Sequence, residues 1–394
     1  MIQQEVKLSL KQVQRYETLR AVPEGRLTVG AAALALGLSR RQVQRLLRRV
    51  EAQGAAGVIH GNQGRPPANA YAPATRDQVL ELVATEYAGF NFSHLADILA
   101  ERHRLAVSAE TLRRWLRPLG HGATPRRVKK HRRRRKRRTQ EGELLFLDGS
   151  PHRWFGEDGP EVCLLLCSDD ATGKPLWGHF QPQEDRDGCF RVCHEVFTRW
   201  GLPAAFYLDR ASQFTTTRHG GTHVAQGPEV EPTQFEQAMD ALTIGIIFAN
   251  SPQARGRGER LNGSFQGRLV AELVQQGIHD CPAATRYLNR VFIPQYQRRF
   301  AQTPEDPTPA WRPIPQGLNL KQVLCARYTR TVANDNTVRL DGVIYQLKQT
   351  PNRDHLVHAH LQVQKWFNGQ IHFFHPALGE VAAKPVSANQ TKNP

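Results

Sequence analysis

Over residues 8–120 apolar side chains recur every three or four positions, the period of a helix with one buried face. From residue 142 the pattern breaks into short apolar runs of strand length, separated by helical stretches. Beyond residue 337 it alternates with period two. Three regions of different architecture are therefore expected along one chain.

In the first region, Val29–Leu36 reads as a short apolar helix broken by Gly37. Ser39-Arg40-Arg41-Gln42 has the form of a capping box that opens the next helix. There Val43, Leu46, Leu47 and Val50 share one face, which leaves Arg40, Arg41, Gln44, Arg45 and Arg48 outward. This is a helix-turn-helix pattern with a basic recognition helix. Residues 75–120 repeat the logic: Phe92, Leu95, Ile98 and Leu99 form one apolar face and a turn follows at His103–Leu105. Ser108 then opens a helix whose Leu112, Trp115 and Leu116 face in while Arg113, Arg114 and Arg117 face out. Two modules in tandem point to a long, bipartite site on double-stranded DNA.

The central runs Leu144–Asp148, Val162–Cys167 and Leu176–Phe180 predict an antiparallel meander with turns at Gly156–Gly159 and Asp169–Gly173. A helix near 188–200, a strand at 204–208, a polar excursion at 215–233, a helix from Gln234, a strand at 244–248 and a long helix over 256–276 follow. The order βββ-α-β-α-β-α predicts a mixed five-stranded α/β sheet with helices on its faces. After one more helix at 282–300, strands at 337–340, 343–347, 356–363 and 371–374 predict a small C-terminal β-barrel of about five strands. The expected boundaries are 1–60 and 61–125 for the two helical modules, 126–141 for a basic tether and 142–303 for the core. A proline-rich linker over 304–320, the barrel over 321–380 and a disordered tail over 381–394 complete the chain.

Charge sharpens this picture. The 394 residues carry a formal net charge of +17, and all of the excess lies in residues 1–141, with 28 Lys and Arg against 11 Asp and Glu. That asymmetry marks a nucleic-acid-binding arm on a body with another task. Arg126–Arg138 holds eleven basic residues, Arg132, Arg133, Arg134 and Arg135 among them, and has no apolar face. It is expected to be a disordered, phosphate-binding tether. No apolar stretch reaches the ~18 residues of a membrane span and no secretory signal opens the chain, so an intracellular protein without membrane contact is expected. The six cysteines show no CxxC pair or paired ligand spacing, and buried reduced thiols are the favoured reading.

Three acidic residues carry the candidate chemistry. Asp148 in Leu-Asp-Gly-Ser and Asp209 in Tyr-Leu-Asp-Arg end strands; Glu259 lies early in a helix, within Asn250-Ser-Pro-Gln-Ala-Arg-Gly-Arg-Gly-Glu-Arg-Leu-Asn262. Gaps of 60 and 49 residues do not prevent their convergence at one edge of the sheet. Gathered carboxylates repel one another unless cations lie between them, and hard oxygen donors suit Mg²⁺ or Mn²⁺. Two such ions ~4 Å apart would activate an attacking oxygen and stabilise a leaving one. In the 256–276 helix Leu261, Phe265, Leu269 and Leu273 form the core stripe, while Arg255, Arg257, Arg260 and Arg268 can meet phosphates. Asp169 and Asp170 are read as turn residues, Trp154 as core packing, and His179, His194, His219 and His223 as surface or packing residues.

With these motifs in this order, the chain resembles the ribonuclease-H-like core of DDE transposases and retroviral integrases. It is most similar to the bacterial insertion-sequence transposases of the ISNCY group, over nearly its whole length. The resemblance implies an enzyme that binds the inverted repeats of its element, cuts the 3′ ends and joins them to target DNA. It further implies Asp148, Asp209 and Glu259 as catalytic ligands for two metal ions, Asn262 as a supporting residue, a homo-oligomer on DNA, no small-molecule substrate and a cytoplasmic, nucleoid-associated location. A transposase-derived DNA-binding regulator with a silent core is the alternative.

Overall fold

The computed structural model describes residues 7–63, 67, 70–121, 136–209, 232–248, 256–349 and 355–386. The chain divides into two compact units, Met1–Arg76 and Asp77–Pro394.

The first unit is helical: α1 (Leu10–Arg20), α2 (Val29–Leu36) and α3 (Arg40–Gln53), followed by a 3₁₀ turn at Gly54–Val58. Gly37 sits at φ +64°, a left-handed conformation that a β-carbon would strain, and so turns the chain sharply between α2 and α3. The Ser39–Gln42 capping box forms as the sequence predicts: Gln42 N donates to Ser39 Oγ at 3.2 Å, and Ser39 N donates to Gln42 Oε1 at 3.0 Å. Leu19, Ala32, Ala33, Val43 and Val58 make the core.

Helix α4 (Pro73–Thr85) carries the boundary between the units. In the second unit α5 (Phe92–His103) and α6 (Ala109–Leu116) close a small core of Val79, Val83, Leu95, Leu99, Leu112 and Leu116. The sheet that follows has the order β3-β2-β1-β4-β5, with β1 at Leu144–His152, β2 at Val162–Asp169, β3 at Pro175–Gln181, β4 at Ala205–Leu208 and β5 at Gly245–Phe248. The first three strands are antiparallel; β4 runs parallel to both β1 and β5. Both faces of β1 and β2 are covered, which is why these strands read as unbroken apolar runs. Leu145, Leu147, Leu165 and Cys167 meet α7 (Arg186–Trp200) and α8 (Gln234–Ala241) on one face. Leu164, Leu166 and Phe180 meet Phe265, Leu269 and Leu273 of α9 (Gly256–Gln275) on the other. The same face takes α10 (Cys281–Tyr287) and α11 (Ile293–Phe300), joined by a π turn at Leu288–Phe292. Trp154 is fully buried there and donates through Nε1 to the Ser150 carbonyl at 3.0 Å. Five of the six thiols are buried, and Cys281 is half-buried.

The C-terminal part departs from the expected barrel. After the short α12 (Leu320–Val323), seven strands form two antiparallel sheets, β11-β10-β9-β6 and β12-β8-β7, with no closed barrel among the described residues. The strands at Thr337–Leu340 (β7), Val343–Leu347 (β8) and Ile371–His375 (β10) match the alternation, whereas His360–Trp366 (β9) begins four residues later than expected. Cys325–Thr331 (β6), Gly379–Val381 (β11) and Ala383–Val386 (β12) do not follow from it. The expected tail from 381 is thus corrected over its first residues, because Ala383–Val386 pairs with β8. Val338, Leu340, Leu361, Val363 and Phe373 fill the core of this part.

Candidate active site

Parallel pairing of β1 and β4 aligns Leu144 with Ala205, Leu145 with Phe206 and Phe146 with Tyr207. The Phe146 and Tyr207 rings touch edge to face, with centroids 5.5 Å apart, so both project from the same side of the sheet. Asp148 and Asp209 each lie one pleat further on. Continued by one pleat, that register puts both on the same face of neighbouring strands ~4.8 Å apart. Only Asp209 lies at a strand end: the expectation that Asp148 ends a strand is corrected, because β1 goes on to His152 and Asp148 pairs with Leu166 in its middle. Asp148 is 6% exposed and Asp209 half-buried. Their charges reach the core: burial first, then Asp169 and Asp148, push the Cys167 thiol up, and Asp209 adds to the forces that raise Cys189 after burial, Glu184, Asp185 and Cys163.

Helix α9 lies across this face. Gln266 Nε2 donates to Ser150 Oγ at 3.1 Å. In its first turn Gly258 rests directly on Asp148, and a β-carbon there would fall 2.0 Å from Asp148 Oδ2. Glu259 follows with an exposed side chain, and Asn262 is half-buried. Asp148 and Asp209 thus lie on adjacent, paired strands, each two residues beyond the Phe146–Tyr207 pair, and Glu259 is one residue from the Gly258 contact. Among the described residues, no three His, Cys, Asp or Glu side chains gather into a group that could hold a metal ion.

The paired acids at the end of β2 divide their work. Asp169 shapes the turn, accepting from Thr172 N and Oγ1, both at 2.7 Å, and from Gly142 N at 2.9 Å. Burial raises its carboxyl pKa, and these hydrogen bonds oppose the rise. Asp170 does something a turn residue does not: its fully buried carboxylate pairs with Arg257 and accepts from Arg138 N at 2.8 Å. Its carbonyl also accepts from Arg137 Nη1 at 2.6 Å. The guanidinium of Arg257, expected at phosphates, is engaged inside the protein, whereas Arg260 is exposed.

The expected DNA-reading residues of α3 face outward: Arg40, Arg41, Gln44, Arg45 and Arg48 are all exposed, and Val43 is buried beneath them. At α6, Arg114 and Arg117 are exposed, whereas Arg113 pairs with Glu110 and lies over the Phe92 ring. Arg132, Arg133, Arg134, Arg135 and Arg255 lie outside the described residues, as do His219 and His223. Sequence reasoning missed the seat of the second module. There His94 Nε2 meets Glu272 Oε1 at 2.8 Å, Tyr287 donates to Glu272 Oε2 at 2.6 Å, and Asp97 bridges Arg268 and Arg299 at 2.8 and 2.7 Å. The one available signal was an acidic residue, Glu272, beside the Leu269/Leu273 stripe.

Residues 15–77 match the winged helix-turn-helix family model. Across 367 residues the chain is 36% identical to the putative transposase y4bF of Sinorhizobium fredii, covering 93% of this chain and 79% of the relative. The chain belongs to the transposases. A second transposase, that of insertion sequence IS1202 from Streptococcus pneumoniae, is 26% identical over 374 residues, 85% of this chain and 78% of the relative. Among solved structures, the simian T-cell lymphotropic virus intasome in complex with PP2A regulatory subunit B56 gamma is 12% identical at a TM-score of 0.33, over 66% of this transposase and 81% of that chain. The HTLV-2 integrase catalytic core domain in complex with magnesium is 14% identical at a TM-score of 0.27, over 39% and 88%. No helix among the described residues of the transposase is long and apolar enough to cross a membrane.

Proposed function

We propose that this transposase binds the terminal inverted repeats of its element, cuts the 3′ ends and joins them to target DNA, with Asp148, Asp209 and Glu259 as the carboxylates at the cut. The observation that supports this reading is the contact of Gly258, in the first turn of α9, with Asp148, on a strand whose Phe146 is in register with Tyr207, two residues before Asp209. In cleavage, the oxygen of water bonds to the scissile phosphorus and the 3′ oxygen leaves as the terminal hydroxyl. In joining, that hydroxyl attacks a target phosphodiester and displaces its 3′ oxygen. Neither step calls for a covalent protein intermediate, so positioning and charge neutralisation supply most of the rate. The donor set is all carboxylate oxygen, which fits Mg²⁺ or Mn²⁺. When bound, such ions supply Lewis-acid stabilisation of the attacking and leaving oxygens.

The chain's own residues do the rest. Asp148, nearly sealed between β1 and α9, gives one fixed carboxylate; Asp209 gives a second from the next strand end. Gly258 lets the helix approach closely enough for Glu259 to complete the set. The Asp170–Arg257 pair anchors that first turn to the sheet. Arg40, Arg41, Gln44, Arg45 and Arg48 on α3, with Arg114 and Arg117 at α6, read the repeats. Arg132–Arg135 add phosphate contacts without base preference. Cutting and joining two element ends calls for at least two copies of the chain on DNA. Asp209→Asn should abolish cleavage of an end-labelled repeat while leaving its gel shift intact; retained cleavage would remove Asp209 from the site.

A further inference from the structure

The helix that carries Glu259 in its first turn also forms the seat of the second helical module. About two to four turns further along α9, Asn91 Nδ2 donates to the Gly267 carbonyl, Ala271 packs on the module's core, and Gln275 Nε2 donates to the Glu86 carbonyl at 3.1 Å. Between these contacts lies a buried polar lock, whose His94 and Glu272 side chains are 5% and 3% exposed, with the Tyr287 hydroxyl on the second Glu272 oxygen. At its rim Asp97 takes both Arg268 and Arg299, and Arg299 also pairs with Glu101. Buried ionic and hydrogen-bonded groups tolerate few alternative arrangements, since any shift leaves one of them unpaired in a low dielectric. The module and the sheet belong to one compact unit.

We propose that the second helical module is a fixed gauge. Duplex DNA lying on Arg114 and Arg117 is held at a constant distance from Glu259, and that distance selects the phosphodiester that is cut. The link is a stiff one: Glu259 and Glu272 are separated by about 20 Å of continuous α-helix at 1.5 Å per residue, comparable to about six base pairs at 3.4 Å each. Without such a link, the terminal base pairs would have to specify the cut themselves. The gauge rests on the reading of Asp148, Asp209 and Glu259 as the cutting site, and its test separates the two.

The full-length protein is footprinted with hydroxyl radicals on an element end, beside an Arg114→Ala/Arg117→Ala variant, to locate the segment held by the module. Two or five base pairs are then inserted between that segment and the terminus, and the cuts are mapped. The gauge predicts that the cut stays at one distance from the segment and so falls two or five nucleotides short of the terminus. A cut that remains at the terminus overturns it. In Asp97→Asn, which removes the charge that both rim arginines share and leaves Arg299 only its pair with Glu101, cuts should spread over neighbouring phosphates with at least a tenfold loss at the original one and unchanged end affinity. A single unshifted cut at the full rate counts against the gauge. If the unmodified end stays uncut by the wild type, the assignment of the three carboxylates fails, and footprints alone judge the gauge. The protection that disappears in Arg114→Ala/Arg117→Ala and the protection that disappears in Arg260→Ala must then keep one spacing on all substrates, and a spacing that grows with the insertion overturns it.

Discussion

Replacing Gly258 by Ala tests whether α9 is seated on Asp148. The new β-carbon would lie 2.0 Å from Asp148 Oδ2, more than 1 Å inside ordinary contact. Asp148 is 6% exposed, between Leu147 and α9, so its carboxylate has little room to swing away. Either the first turn of the helix lifts by about 1 Å or the carboxylate leaves its place. Overpacking of this kind costs ~1–3 kcal/mol, against which alanine returns ~1 kcal/mol of helix propensity. The net loss of stability should be about 0–2 kcal/mol. Cleavage should fall further, by ~100-fold, because a misplacement of about 1 Å at the reacting groups has that effect. Gly263→Ala is the control on the same helix. Nothing lies within 4 Å of its β-carbon, so it should stabilise by ~1 kcal/mol with cleavage unchanged. Urea midpoints and cleavage rates on a labelled element end give both quantities. If Gly258→Ala were as stable as Gly263→Ala and cut within threefold of wild type, the seating of α9 on Asp148 would be refuted.

Arg45→Ala and Arg114→Ala should each weaken end binding by ~1–3 kcal/mol where the side chain reads a base edge, with little change on random DNA; an equal loss on both DNAs in gel shifts rejects base reading. Serine at Arg132–Arg135 should weaken specific and random binding alike and flatten the slope of log affinity against log salt by ~0.9 for each phosphate no longer neutralised. An unchanged slope would assign that run another role. His179 is held down to about 4 by burial first and by Arg191 second, with Asp185 and Glu195 opposing. The unfolded chain, at the ordinary histidine value of 6.5, binds more protons between these limits. Stability is therefore full above pH 6.5 and is lost as pH falls towards 4, by up to about 3 kcal/mol. His179→Gln should remove that loss, and urea midpoints at pH 7 and 4.5 that still diverge as in wild type would exclude His179 as its source.

The parts of this fold that could be read from sequence are those written in local chemistry. Ser39 and Gln42 announce α3 because a capping box closes within four residues, and the apolar runs of β1 and β2 are long because both faces are covered. Asp148 and Asp209 stand out because each closes an apolar run in the sequence, although β1 itself continues to His152. What escapes depends on distant partners. Glu272 becomes intelligible only beside His94, 178 residues earlier, and Asp170 only beside Arg257, 87 residues later. The expectation of a C-terminal barrel fails for a related reason. Alternation with period two specifies a strand with one buried face but not whether its sheet closes on itself. The pairing of Ala383–Val386 with β8 adds an edge strand of only four residues, too short to show an alternation.

The central claim is that Asp209 offers its oxygen to a divalent cation at the cut. Exchange of that oxygen for sulfur tests it most directly, in Asp209→Cys assayed for cleavage of a labelled element end. Mg²⁺ disfavours thiolate, whereas the softer Mn²⁺ accepts it. The wild type should cut in either metal and Asp209→Ala in neither. Asp209→Cys should be inactive in Mg²⁺ and regain cleavage by at least ~10-fold in Mn²⁺. Cleavage by Asp209→Cys and Asp209→Ala at the wild-type rate in Mg²⁺ would contradict the account.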